Sequence, residues 1–194
     1  ILSFIVQRGR CRYCHKRISL QYPLVEAANA LLWVAALYRF GTGKEAVLYM
    51  VFLSFLLALS VIDLRTQLLP NRLTIPGFFV GLVGRWLVVG NPVDGLLGGI
   101  GGLAVIVLIA LLSRGGMGLG DAKLMGMIGA FLGWRDGLAA LAVGAILGGI
   151  VGLWLLYTRL KRRHDMIAYG PFLALGGAAV VLLRPWLVQF IAWL

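Results

Sequence analysis

Seven carboxylates are all the acid chemistry this 194-residue chain can draw on: Glu26, Glu45, Asp63, Asp94, Asp121, Asp136 and Asp165. Two of them stand apart by position. Asp63 directly follows the apolar run 47–62, while Asp121 follows Gly115-Gly116-Met117-Gly118-Leu119-Gly120 and opens another apolar run. Two carboxylates held close cannot both ionise, so one keeps a proton and the pair can polarise a water against a peptide carbonyl, as an aspartic dyad does. A helix N-terminus is partly positive and a C-terminus partly negative. Asp121, at a helix start, is therefore expected to be the more acidic partner, and Asp63, at a helix end, the one that retains the proton. A competing reading of Asp121 is a plain N-cap, because glycines and an Asp before an apolar run also look like that. What favours chemistry is the pairing, since both acids fall at the same membrane face. Gly118 and Gly120 are expected to let the backbone bend sharply and to leave room for an extended substrate beside the acid. Other hydrolase chemistries fit poorly: the chain has no Gly-x-Ser-x-Gly and no His-Glu-x-x-His.

The elements that must position these acids are membrane helices. The chain is 61% hydrophobic and 13% charged, against about 45–50% and about 25% for a soluble domain. One water-soluble core cannot hide that much apolar surface. The composition indicates an all-α polytopic membrane protein and excludes a disordered chain, a coiled coil, a disulfide scaffold and a nucleic-acid domain. A helix crosses the roughly 30 Å hydrocarbon layer with about 20 residues, which gives seven expected transmembrane spans: 24–40, 46–62, 73–89, 95–112, 122–134, 137–157 and 170–194. The fifth is short, and Arg184-Pro185 is expected to kink or end the seventh.

The net charge of +11 follows from the gathering of basic residues in loops that stay inside, and no nucleic-acid partner is expected. Thirteen basic residues fall in one set of alternating loops, around 8–17, 65–72, 114–123 and 159–163, and five in the other, at Arg39, Lys44, Arg85, Arg135 and Arg184. That bias places the N-terminus and the loops carrying Asp63 and Asp121 in the cytoplasm. Glu45, Asp94 and Asp136 then fall in external turns as caps or solvated residues, and Asp165 in a basic cytoplasmic cluster as an ion-pair partner. Glu26 falls in the first turn of the first span, where the dipole favours an acid and where capping and substrate or cofactor binding remain equal readings. Gly98, Gly102, Gly144, Gly148 and Gly152, four apart within each set, suit close helix packing in lipid.

These residues carry a resemblance. Ile62-Asp63-Leu64-Arg65-Thr66-Gln67-Leu68-Leu69-Pro70-Asn71 resembles the first aspartate motif of the type IV prepilin peptidases, and Gly118-Leu119-Gly120-Asp121-Ala122-Lys123-Leu124 their second, the GxGD motif shared with presenilin-type proteases. Arg8-Gly9-Arg10-Cys11-Arg12-Tyr13-Cys14, with Ile18-Ser19 and Tyr22-Pro23-Leu24-Val25-Glu26, resembles their cytoplasmic cysteine segment, and Tyr169-Gly170-Pro171-Phe172 the opening of their last helix. The resemblance implies a bacterial inner-membrane endopeptidase that removes a short basic leader after glycine from prepilins or pseudopilins at the cytoplasmic face. Asp63 and Asp121 would be its catalytic pair, with Pro70, Gly118, Gly120 and Lys123 supporting. It also implies, for many members, methylation of the new N-terminus, often phenylalanine, with S-adenosylmethionine. It divides the chain into a cysteine-containing segment, 1–23, and a transmembrane peptidase domain, 24–194. Longer members carry an additional first helix and two Cys-x-x-Cys pairs, so the missing parts are expected upstream of Ile1 unless the form is naturally shorter.

Cys11 and Cys14 form half of a structural zinc site, which needs a second pair to complete its four ligands; free thiols or a redox pair are the alternatives. Lys123 is either a positive-inside anchor or a cation beside the dyad. Because prepilin leaders are themselves basic, anionic membrane lipid is the expected mediator of their approach. The competing function is an ion- or proton-coupled transporter using Asp63 and Asp121, with a structural membrane subunit as a third class.

Overall fold

The computed structural model describes residues 4, 6, 7, 9, 10, 12–112, 118–158 and 168–192. From residue 21 on, the described residues form seven helices in order: α1 Gln21–Phe40, α2 Lys44–Thr66, α3 Asn71–Val89, α4 Pro92–Leu112, α5 Leu119–Leu132, α6 Trp134–Tyr157 and α7 Gly170–Ala192. Among the described residues the only β pairing is an isolated bridge, Arg10 with Arg17, closing a turn that carries Cys14. The protein is an all-α polytopic membrane protein. The lengths and composition of α2, α3, α4 and residues 134–155 of α6 suit membrane crossing, and residues 170–183 of α7 form a shorter apolar helix.

Turn chemistry sets the helix ends. Gly41 and Gly90 take positive φ, +69° and +75°, after α1 and α3, where a side chain would be strained. Pro92 opens α4 at the position that has no use for its missing N–H, and the Asn91 side chain caps it by accepting the Asp94 N–H at 3.1 Å. The observed helices start two or three residues before most expected spans. α2 also runs on to Thr66, past the expected end at 62, so Asp63 lies inside its last turn, and the early start of α1 puts Glu26 in its second turn rather than the first. The expected break at Pro185 does not occur: α7 runs through to Ala192, because a proline removes one ladder hydrogen bond, a loss a long helix in a packed bundle tolerates.

The shortest helix is the most enclosed. In α5 every residue from Leu124 to Leu132 is buried, as is Ala122. Its flanks are small on purpose of packing: a Cβ at Gly98 of α4 would lie 2.5 Å from the Gly129 oxygen, and one at Gly102 3.0 Å from the Met125 oxygen. These two glycines let backbone meet backbone, as in small-residue packing in lipid. Gly144 does the same against α7, 3.0 Å from the Phe172 oxygen, and a Cβ at Gly148 would come within 2.8 Å of the Tyr169 ring, whereas Gly152 has nothing within 4 Å and plays no such part. On the α2 side, the rings of Phe52 and Phe131 stack at 4.7 Å. Leu31, Leu87, Ile100, Ile146 and Leu153 are exposed, an outward apolar coat that suits lipid and not water. A polar link, Trp33 Nε1 to Ser54 Oγ and Ser54 Oγ to Asn29 Oδ1, both 2.9 Å, fastens α1 to α2.

Asp94 is neither a cap nor a solvated loop residue. It pairs with Arg85 of α3, and the two side chains are 22% and 11% exposed. The sequence separates the two charges into a span and a turn; the packed bundle joins them.

Candidate active site

The last turn of α2, the first turns of α3 and α5, and the start of α7 meet at one end of the bundle. α2 closes on Gln67, whose left-handed backbone (φ 52°) turns the chain and whose N–H caps the Asp63 carbonyl at 2.8 Å. Pro70 then holds an extended conformation as the N-cap residue of α3, its carbonyl accepting from the Leu73 and Thr74 amides at 3.0 and 3.2 Å. Its role is to start α3 and to bring Leu69 against α5. A Cβ on Gly120 would lie 3.2 Å from that of Leu69, so Gly120 makes room for this loop.

Asp63 is only 4% exposed, and its Oδ2 accepts the Gly170 N–H at 3.1 Å. Gly170 is the first residue of α7, so its amide is one of the donors a helix start leaves without an internal partner. Asp121 is half-buried at the third position of α5, and its Oδ2 accepts the N–H of Gly118, the N-cap, at 3.3 Å. Asp121 is therefore not the N-cap itself. Gly118 takes an ordinary backbone conformation (φ −81°, ψ 148°), so the sharp bend expected to need glycine there does not require one.

The two carboxylates are close enough to interact electrostatically, as are Asp121 and Tyr169. The expected asymmetry between them loses its physical basis. Asp63 does sit at a negative helix end, but the positive start of α7 faces its carboxylate just as the start of α5 faces that of Asp121. Tyr169, directly before α7, has its phenol pushed above the usual value first by burial and then by the Asp121 charge, so it stays neutral across physiological pH. Sequence reasoning treated Tyr169 and Gly170 only as the opening of a helix. Their signal was the Tyr-Gly-Pro start itself, but nothing local links it to Asp63, 107 residues away.

Lys123 points away from a simple dyad role: its Nζ donates to Asn71 Oδ1 at 2.7 Å, tying the start of α5 to the start of α3. Lys123→Gln, which keeps an N–H donor for Asn71, is expected to lower turnover by no more than about threefold, since an exposed hydrogen bond contributes about 1 kcal/mol. A Lys123→Met comparison measured by initial rates checks this, with the larger loss expected for Met. Glu26 is exposed, at the same end of the bundle as Asp63. Cys11 lies outside the described residues, as do Gly115–Met117, the basic cluster at 159–163 and Asp165. Cys14 is an exposed free thiol. Among the described residues no group of three His, Cys, Asp or Glu side chains is placed to hold a metal ion.

Comparison with known proteins agrees in register. The family described as "Type IV leader peptidase family" matches residues 50–153, and the "Bacterial Peptidase A24 N-terminal domain" matches residues 1–40. The prepilin leader peptidase/N-methyltransferase of Pseudomonas putida is 38% identical over 188 residues, 94% of this chain and 65% of that protein. The protein of the same name from Burkholderia pseudomallei (strain 1026b) is 38% identical over 187 residues, 93% of this chain and 60% of that protein. That of Bacillus subtilis (strain 168) is 34% identical over 194 residues, 98% of this chain and 77% of that protein. The chain thus spans under two thirds of the length of the first two relatives. No solved structure matches it.

Proposed function

The chain belongs to the type IV leader peptidase family, and from that premise we propose that it is the membrane-embedded aspartic endopeptidase portion of a prepilin peptidase, with Asp63 and Asp121 as its catalytic pair. The observation that carries this reading is the convergence of two acids, distant in sequence, at one end of the bundle, each held by a backbone N–H at a helix start. In this reading residues 1–23 form a cytoplasmic segment, 24–194 the peptidase domain, and the site faces the cytoplasm in the bacterial inner membrane. Support for that sidedness comes from the basic residues concentrated in the loops beside the site.

The chemistry follows from the placement. The ionised member of the pair takes a proton from a water as its oxygen attacks the scissile carbonyl carbon, and the protonated member gives its proton to the carbonyl oxygen. The tetrahedral diol then collapses. The C–N bond breaks as the now-protonated member gives its proton to the leaving amine and the now-ionised member takes one from a diol hydroxyl, so the carbonyl re-forms and the pair again holds one proton. The two carboxyls titrate as a unit. The Gly170 and Gly118 amides fix their orientation, so neither swings away between steps. Location at a helix boundary rather than mid-bilayer lets water reach the pair and lessens the cost of a charge there.

Glu26, exposed at the same end, offers a carboxylate to the basic leader, and anionic lipid brings the leader to a chain that is itself strongly basic. For methylation, S-adenosylmethionine would supply the methyl group when bound. A cavity of about 350 Å³ opens at the opposite end of the bundle, among Arg39, Glu45 and Asp136. Coupled transport gains no favouring observation, because both acids sit at a bundle end rather than at mid-depth.

The deciding experiment incubates the full-length protein, in liposomes containing anionic lipid, with a peptide that joins a basic leader, a glycine and a phenylalanine-headed apolar segment. Intact-mass spectrometry is expected to find two fragments meeting at the Gly–Phe bond. An uncleaved peptide, with acid-dependent ion flux in its place, overturns the proposal.

A further inference from the structure

A helix of 14 residues is about 21 Å long, some 9 Å short of the roughly 30 Å layer it sits in. With Asp121 at one boundary, the far end of α5 must stop inside the bundle. There the Gly133 N–H caps the Gly129 carbonyl at 2.7 Å, while the carbonyls that follow need partners from outside the helix. Lys123 ties the first turn of α5 to Asn71, and the glycines of α4 set its spacing from that helix, but from Leu124 to Leu132 α5 has no polar side chain of its own to hold its far end.

Arg85 meets that need. It lies four residues before the end of α3, about 6 Å below the outer end of that helix, close to the depth at which α5 gives out. Its Nη1 donates to the Phe131 carbonyl at 3.1 Å, and its Nη2 is paired with Asp94 Oδ2. Nε finds no partner among the described residues, so the guanidinium is held from these two sides alone. The pair closes over Gly133, whose φ is +83° and whose missing Cβ would fall 2.6 Å from Arg85 Nη2. α3, α4 and the end of α5 are thus tied at one point by a cation at a negative helix end.

We propose that Arg85 and Asp94 are positioning residues that set the depth of the short α5 helix and through it the placement of Asp121, at the opposite end, against Asp63. This rests on the peptidase reading of those two acids. The consequence is a remote control on turnover: α5 is enclosed from Leu124 to Leu132, so a shift at its outer end is carried along the helix to its first turn.

The test uses the full-length protein in liposomes. Removing one member of a buried ion pair alone destabilises through the charge left behind, whereas replacing both by apolar groups is often neutral for folding. Arg85→Met/Asp94→Leu is therefore the informative variant, with Arg85→Lys beside it. A positioning role predicts that the double variant folds but loses about tenfold to a hundredfold in kcat, the scale of an ångström of misplacement, with KM within about twofold. Arg85→Lys, which keeps one donor for Phe131, recovers part of the loss. Spin labels carried on ketone-bearing residues at Leu64 and Leu119, both exposed, should report one separation in the parent and a shifted or broadened one in the double variant. Parental kcat and an unchanged label separation in the double variant overturn the proposal. If the parent itself cleaves nothing, the peptidase reading fails while the label separation still decides whether the pair sets the depth of α5.

Discussion

Asp63→Asn and Asp121→Asn are each expected to reduce leader cleavage by about a thousandfold or more, the scale of losing general acid–base catalysis, with the double variant no worse than either single one. The non-additivity follows from the pair acting as a unit: once one carboxyl is gone, the other has no partner to exchange a proton with. Stability should move the other way. Asn is isosteric with Asp and its side-chain oxygen still accepts the Gly170 or Gly118 amide. Asp63 is 4% exposed, so removing its charge relieves a desolvation cost rather than breaking an ion pair. Asp63→Asn should therefore melt at or above the parent temperature, and Asp121→Asn close to it. Initial rates by mass spectrometry, with thermal melting on the same preparations, check both halves. A variant that loses activity only because it loses folded protein would remove the dyad assignment.

The parts of this site that were legible in the sequence are those where one residue type is improbable in its surroundings. A carboxylate after a sixteen-residue run broken only by Ser54 and Ser60, as at Asp63, or after a glycine run, as at Asp121, is visible without a fold. The helices were legible for the same reason, since lipid demands long apolar runs, although most of them start two or three residues early. Lys44, Asn71 and Trp134 belong to helices because backbone hydrogen bonding does not stop where hydropathy falls. What stayed hidden depends on distance in sequence. Arg85 reads as a charge near the end of a span and Asp94 as one in the following turn because hydropathy gives depth only to within a turn, and a nine-residue gap gives no sign that a third helix end lies between them. The proton asymmetry was argued from each acid's own helix. The start of α7, which faces Asp63, enters from more than a hundred residues away.

Gly170→Ala is expected to leave the fold intact and cut kcat by about a hundredfold. A Cβ at this position would lie 2.6 Å from Asp63 Oδ2 and 3.1 Å from its Cγ, closer than van der Waals contact permits. Asp63 is enclosed, and its Oδ2 is already held by the Gly170 amide, so it cannot give way and keep that bond. The carboxyl must rotate or α7 must back off, and either displaces one acid relative to Asp121 by a sizeable fraction of an ångström, a shift costly to catalysis. Folding gives no comparable penalty. Gly170 is not among the residues of positive φ, and alanine is the better residue in a helix by up to about 1 kcal/mol, which offsets part of the strain. The expected signature is a melting temperature near the parent's with the rate lost in kcat, set against Gly101→Ala, where nothing lies within 4 Å of the added methyl and the rate should be unchanged. A Gly170→Ala protein that cleaves at the parental rate would mean that the approach of α7 to Asp63 has no part in the working site.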